Sequence, residues 1–130
     1  MSEMTEFRAL IVEDDKDQAI IFARALERAG FQTAISRAGD VALEKLNNWV
    51  PDVILLDLYI PRIMGMEVLR HIRKDPRLAK TRVIAVTGSK QRAEEIRGKV
   101  DLVLVKPIGY DKLKELARQL MQLVSNRQPR

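Results

Sequence analysis

The chain has 130 residues, 46% of them hydrophobic and 32% charged, a formal net charge of +5 and no cysteine. That length suits one domain, 1–130, around a single core, with the polar ends 1–6 and 125–130 expected to be flexible; lack of cysteine excludes disulfides, thiolate metal sites and cysteine catalysis. No apolar stretch approaches membrane-spanning length and the N-terminal MSEMTEFR has no signal-type apolar segment, so a cytoplasmic protein with no membrane partner is expected.

Charge is unevenly placed. Residues 1–69 hold 7 Lys/Arg against 12 Asp/Glu, whereas residues 70–99 hold 10 against 3. A basic half can meet nucleic acid or an acidic protein. Here the bases are interleaved with Leu, Ile and Val at helical spacing, and aromatics make up 5% of the chain, so a base-stacking surface is not expected. The pattern favours a solvated basic face, with 70–99 as the candidate partner surface.

Five apolar runs alternate with five helical patterns. The first run, 9–12, ends in Glu13-Asp14-Asp15. Asp17 then suits a helix cap, with Ala19, Ile20, Ala23, Leu26 and Ala29 at helical period and Gly30 as the stop. The second run, 31–35, contains Gln32 and Thr33 and reads as an edge strand. Gly39 and Asp40 open a second helix with Val41, Ala42, Leu43 and Leu46 apolar, and Trp49 follows as a packing residue over the sheet edge.

The third run is the most informative. In PDVILLDLYIPRIMG, 51–65, four aliphatic residues run straight into Asp57, the pattern of a strand buried on both faces with an acid at its C-terminal lip. Taken alone, Asp57 reads equally well as a loop cap. A third helix spans 66–74, with His71 at its exposed margin. The fourth run, 83–86, ends in Thr87-Gly88-Ser89; a short charged helix, 91–97, follows. The fifth run, 102–105, ends in Lys106-Pro107. Asp111 begins the last helix, with Leu113, Leu116, Leu120 and Leu123 as its apolar stripe. Strands alternating with helices imply a doubly wound parallel sheet with right-handed crossovers.

In such a sheet the C-terminal strand ends share one edge, where ligands bind. Glu13 and Asp14, Asp57, Thr87 and Lys106 all fall there, and only the second strand offers no ionisable group. Two carboxylates about 4 Å apart repel by about 4 kcal/mol at an effective dielectric of about 20. Lys106 supplies one compensating charge, and a hard divalent cation on carboxylate oxygens, a backbone carbonyl and water suits the remainder, which points to Mg²⁺. Thr87, Lys106 and loop N–H groups could cradle a tetrahedral anion beside Asp57, a pocket for phosphoryl transfer onto or off an aspartate.

VEDD at 12–15, LLDLYIP at 55–61, AVTGS at 85–89 and VKP at 105–107, in this order and spacing, resemble the receiver domains of two-component response regulators along nearly the whole chain. The resemblance implies a flavodoxin-like (βα)5 fold with strand order 2-1-3-4-5 and Asp57 as phosphoacceptor. It implies Asp14, Asp57 and the Tyr59 backbone carbonyl as Mg²⁺ ligands, with Glu13 reaching the metal through water. Thr87 would move toward the phosphoryl group, Lys106 would contact it, and the Lys106-Pro107 bond would be cis. The donor would be a phosphohistidine on a sensor histidine kinase or phosphotransfer protein. Such a protein catalyses only its own phosphorylation and dephosphorylation and signals by contact with a downstream protein; with no output segment after Arg130, it is expected to act alone.

Three positions depart from the family pattern: Met64 where an acid is usual, Val103 where an aromatic commonly stands, and a segment from Thr87 to Lys106 that is shorter than is typical. Tyr59 is bulky enough to shield a phosphoryl group, and Ser89 offers no carboxamide or acid to position water, so slow autodephosphorylation is expected. Two other readings compete. A pseudo-receiver would keep the fold as a constitutive interaction scaffold without phosphate, and an aspartate-nucleophile hydrolase would want an acid where Tyr59 stands.

Overall fold

The computed structural model describes residues 6–127, and strands and helices alternate as the sequence implies. The strands are β1 (Phe7–Val12), β2 (Phe31–Ser36), β3 (Val53–Asp57), β4 (Arg82–Thr87) and β5 (Leu102–Val105). Each leads into a helix: α1 (Lys16–Arg28), α2 (Gly39–Leu46), α3 (Gly65–Lys74), α4 (Lys90–Ile96) and α5 (Tyr110–Arg127). A 3-10 turn, Pro76–Leu78, sits between α3 and β4, capped by Asp75. Every strand pair is parallel and the order is β2-β1-β3-β4-β5, the flavodoxin-like arrangement, with β2 at one margin as its mixed composition suggests. Of the ends expected to be flexible, 1–5 and 128–130 lie outside the described residues, while 125–127 continue α5.

Alternation along the strands divides the interior into two apolar layers. Ala9, Ile11, Val53, Leu55, Ile84 and Val86 face α1 and α5, where they meet Phe22, Leu26, Leu113 and Ala117. Leu10, Val12, Ile54, Leu56, Val83 and Ala85 face the other helices and meet Ala42, Val68, Ile72 and Ile96. The aliphatic run of β3 is therefore buried on both faces, and truncating Ile54 to Ala would cost about 2–5 kcal/mol.

Helix details differ from the sequence pattern where spacing leaves a choice. The cap of α1 is Asp15, whose side chain accepts the Gln18 N–H, whereas Asp17 lies in the first turn. Phe22, outside the expected stripe, is fully buried, while Ile20 is half-buried. On α5 the buried positions are Leu113, Ala117, Leu120 and Val124; Leu116 is half-buried and Leu123 is 41% exposed. Trp49 is half-buried against the second layer with Arg8 and Lys45 over its ring, as expected of a packing residue. His71 is exposed, and Glu67, one turn before it, lies 3.8 Å from its Nε2.

Register sets the functional edge. Val12 pairs with Leu56, Asp57 with Val86, and Thr87 with Val105. Residues 13, 57, 87 and 106 thus emerge within about one residue of a common level across four adjacent strands.

Candidate functional site

Asp57 is the last residue of β3 and is buried. Its Oδ1 accepts the Tyr59 N–H at 2.8 Å, and its Oδ2 accepts from Lys106 Nζ at 2.8 Å. The loop after β3 turns back tightly, with the Gly65 N–H bonded to the Leu58 carbonyl. A Cβ at Gly65 would lie 2.4 Å from Leu58 Cα, so only glycine permits this closure. The sequence therefore aims the Asp57 carboxylate outward from a rigid strand end and fixes one of its oxygens with a backbone donor.

Glu13, one residue past β1, is buried at 1% exposure; Asp14 beside it is exposed. Glu13 Oε1 accepts from Lys106 Nζ at 3.0 Å, and its Oε2 accepts the Asp15 N–H at 3.1 Å. One ammonium thus bridges two carboxylates from different strands. One carboxylate oxygen from each of Glu13, Asp14 and Asp57 lies within 4.8 Å of the others.

The electrostatics follow from this crowding. Burial pushes the Glu13 carboxyl up to about 7, and the Asp57 charge adds to the rise, against the opposing Asp15 N–H and Lys106. Burial pulls Lys106 down, but its hydrogen bonds and charge interactions with Asp57 and Glu13 prevail and hold it above the ordinary lysine value. Three acids and one ammonium leave the edge short of positive charge. All the donors are hard oxygens brought within reach of one ion at one sheet edge, so the residues present fit Mg²⁺.

Thr87 ends β4 and is buried, its Oγ1 accepting the Ser89 N–H at 3.1 Å. Its carbonyl accepts the Lys106 N–H at 2.8 Å, tying the two strand ends together, but no hydrogen bond joins its hydroxyl to Asp57 among the described residues. Ser89 caps α4 by accepting the Arg92 N–H, so the threonine turn leads directly into that helix. The Lys106-Pro107 bond is cis, as the resemblance implies. Tyr59 is 82% exposed. Val103, in the aromatic's place, is half-buried and packs on the second apolar layer.

One contributor is absent from the sequence pattern. The end of β2 does carry an ionisable group to this edge, because Arg37 Nε and Nη2 both donate to the Asp14 carbonyl, at 3.2 and 3.0 Å. The Ser36 carbonyl also accepts the Glu13 N–H at 3.0 Å. Neither residue resembles a site residue in sequence, since the contact is made to a neighbour's backbone. A surface groove of about 410 Å³ between α2 and α3, with Leu43, His71 and Arg77 in its lining, includes none of Glu13, Asp14 and Asp57.

The geometry agrees with what the chain is similar to. Residues 9–118 match the family model of the response regulator receiver domain. The chain belongs to this family. This receiver domain is 30% identical over 115 residues to the polar-differentiation response regulator DivK of Brucella ovis, an alignment covering 86% of this chain and 94% of the relative. Among solved structures, a CheY-like receiver domain from Methylobacillus flagellatus superimposes with a TM-score of 0.78 at 29% identity, covering 89% of this receiver and 99% of that chain. The signal receiver domain of a putative Luxo repressor protein from Vibrio parahaemolyticus gives 0.79 at 27% identity, covering 97% and 100%. The receiver domain thus brings Glu13, Asp14, Asp57 and Lys106 together, with Thr87 beside them. No helix among the described residues is long and apolar enough to cross a membrane.

Proposed function

We propose that this receiver accepts a phosphoryl group on Asp57 from a phosphohistidine of a sensor histidine kinase or phosphotransfer protein, with Mg²⁺, in the cytoplasm. The observation that carries the reading is the single Lys106 ammonium bridging Asp57 and Glu13 at an edge where three carboxylates converge. An Asp57 carboxylate oxygen attacks phosphorus, the P–N bond of the phosphohistidine breaks, its electron pair stays on the imidazole, and an acyl phosphate forms. Hydrolysis by water at phosphorus later releases inorganic phosphate and restores the carboxylate.

Asp14, Asp57 and the Tyr59 carbonyl would hold the metal, with Glu13 acting through water. Bound there, Mg²⁺ would neutralise charge that builds on the phosphoryl oxygens. The chain's own groups do the remainder. The Tyr59 N–H fixes one Asp57 oxygen, and Lys106 is already placed to contact the anion that arrives beside Asp57. The Thr87 hydroxyl, whose oxygen accepts from Ser89, can turn its proton toward the new phosphoryl group and pull on the turn that caps α4. A downstream protein would read that change by contact. With Val103 in the aromatic's position, this α4 path is the readout the residues support.

Incubation with Mg²⁺ and acetyl phosphate, followed by intact mass measurement, tests the reading. One added phosphoryl group, absent in Asp57→Asn, is expected. A folded wild type that gains none would establish the pseudo-receiver scaffold instead, and sustained turnover of donor would point to a hydrolase.

A further inference from the structure

Building on that reading of the acidic edge, we propose that Arg37 is a positioning residue for the metal-binding acid Asp14, through a clamp formed by the turn between β2 and α2. The turn carries no proposed ligand, yet it touches both ligand-bearing loops. On one side, Arg37 presents two donors to a single acceptor, the Asp14 carbonyl, at 3.2 and 3.0 Å. On the other, the Gly39 N–H reaches the Pro61 carbonyl at 3.3 Å, and Arg62 Nε lies 2.9 Å from both Asp40 oxygens. Arg62 sits at φ 69, a conformation uncommon for a residue with a side chain, in the loop that also holds Tyr59.

The Arg37 contact is unusual chemically. A guanidinium fork matches a carboxylate best, and Asp14 offers one nearby. Instead both bonds go to the backbone of Asp14, which leaves its carboxylate oxygen within 4.8 Å of those of Glu13 and Asp57. Asp14 is exposed, on a loop just past the strand; the N–H groups of its neighbours Glu13 and Asp15 bond to the Ser36 carbonyl and to Glu13 Oε2, and the Arg37 fork adds the bonds made to the Asp14 carbonyl itself.

Two effects of Arg37 on a divalent cation have opposite sign. Its positive charge repels the cation, while its fork pre-orients one ligand and spares the ordering cost on binding. The charge is exposed and screened by salt, whereas the anchor acts within the ligand residue itself. Anchoring therefore prevails, and removal of Arg37 weakens the metal.

The test is Mg²⁺ titration of the unphosphorylated protein, followed by backbone amide shifts of Asp14 and Asp15, with thermal melts of the metal-free forms as a fold control. Wild type is expected to bind; Arg37→Ala, with an unchanged melt, is expected to bind roughly three- to ten-fold more weakly, the scale of one or two lost hydrogen bonds. Arg37→Lys keeps the repelling charge without the fork and is expected to bind no better than Arg37→Ala. Equal or tighter binding by Arg37→Ala overturns the clamp while leaving the site reading intact, as does full wild-type affinity in Arg37→Lys. Failure of wild type itself to bind Mg²⁺ overturns both.

Discussion

Lys106 Nζ, at the end of β5, lies 2.8 Å from Asp57 Oδ2 at the end of β3, spanning the width of β4. The same ammonium holds buried Glu13 at 3.0 Å from the far side of β3. This receiver's sheet edge is therefore closed by one cation shared between two acids, and its chemistry and its stability are coupled.

Lys106→Met leaves Glu13 and Asp57 facing each other without a counter-charge. Breaking a fully buried pair costs about 3–5 kcal/mol. Because the Lys106 side chain is 29% exposed, and Glu13 can take up a proton instead, a loss of about 2 kcal/mol is expected at neutral pH without metal. Adding Mg²⁺ should recover much of it. Urea denaturation with chelator and with saturating Mg²⁺ measures both, and a variant as stable as wild type in chelator would show that the bridge carries no net stability.

The Glu13 carboxyl gives the metal-free protein an unusual pH dependence. Its folded pKa is about 7 against an ordinary 4.5, so the native state binds its proton more tightly than the unfolded chain does. The penalty for ionising it is absent below 4.5, grows as pH rises from there to about 7, and is constant above. Glu13→Gln mimics the neutral acid. In chelator it should be more stable than wild type at pH 8, with the gap closing toward pH 4.5. Denaturation midpoints across that range decide it; a gap that widens on acidification would mean that Glu13 is stabilised by ionising.

Tyr59→Asn separates two ways in which position 59 could govern phosphate loss. Tyr59 is 82% exposed, so little of it is packed down against the protein. An asparagine carboxamide two residues beyond Asp57 can hold a water near phosphorus. Loss of label should quicken roughly ten-fold, well short of the ~10²–10⁴ given by a positioned general base. Tyr59→Ala should leave the rate near wild type if orientation is what matters, and should speed it equally if the ring is a shield. A Tyr59→Asn protein that holds phosphate as long as wild type would dismiss control from this position.

What the sequence made legible, and what it hid, follows from the reach of each signal. Asp57, Thr87 and Lys106 each end an apolar run that alternates with helices, so the shared C-terminal edge of a parallel sheet placed them together. Phe22, Val124 and the Asp15 cap depended on the rotation of a helix about its axis, which a stripe read to within one residue does not fix. Arg37 was hidden for a different reason. Its partner is the Asp14 carbonyl, which every residue type possesses, so no residue pattern in β1 or β2 announces the contact.

Gly39 offers the most direct test of how tightly the turn after β2 is pressed against the loop carrying Tyr59. A Cβ built there would lie 2.0 Å from the Ile63 carbonyl oxygen and 2.8 Å from Ile63 Cβ. The nearest atom is backbone, so no rotamer change relieves the clash; either α2 or the loop of residues 58–64 must shift. Overpacking costs about 1–3 kcal/mol in general, and a collision with backbone places Gly39→Ala at about 3 kcal/mol. The displaced loop should also loosen the Tyr59 N–H bond to Asp57, so Mg²⁺ affinity and phosphorylation rate should fall beyond what the stability loss explains. Gly88→Ala is the control: nothing lies within 4 Å of its added Cβ, and its stability should stay within about 0.5 kcal/mol of wild type. Paired urea melts and phosphorylation time courses of the two variants measure the difference. Equal stability of both would mean that the turn and the loop part freely, and that the acids are held in place by their own strands alone.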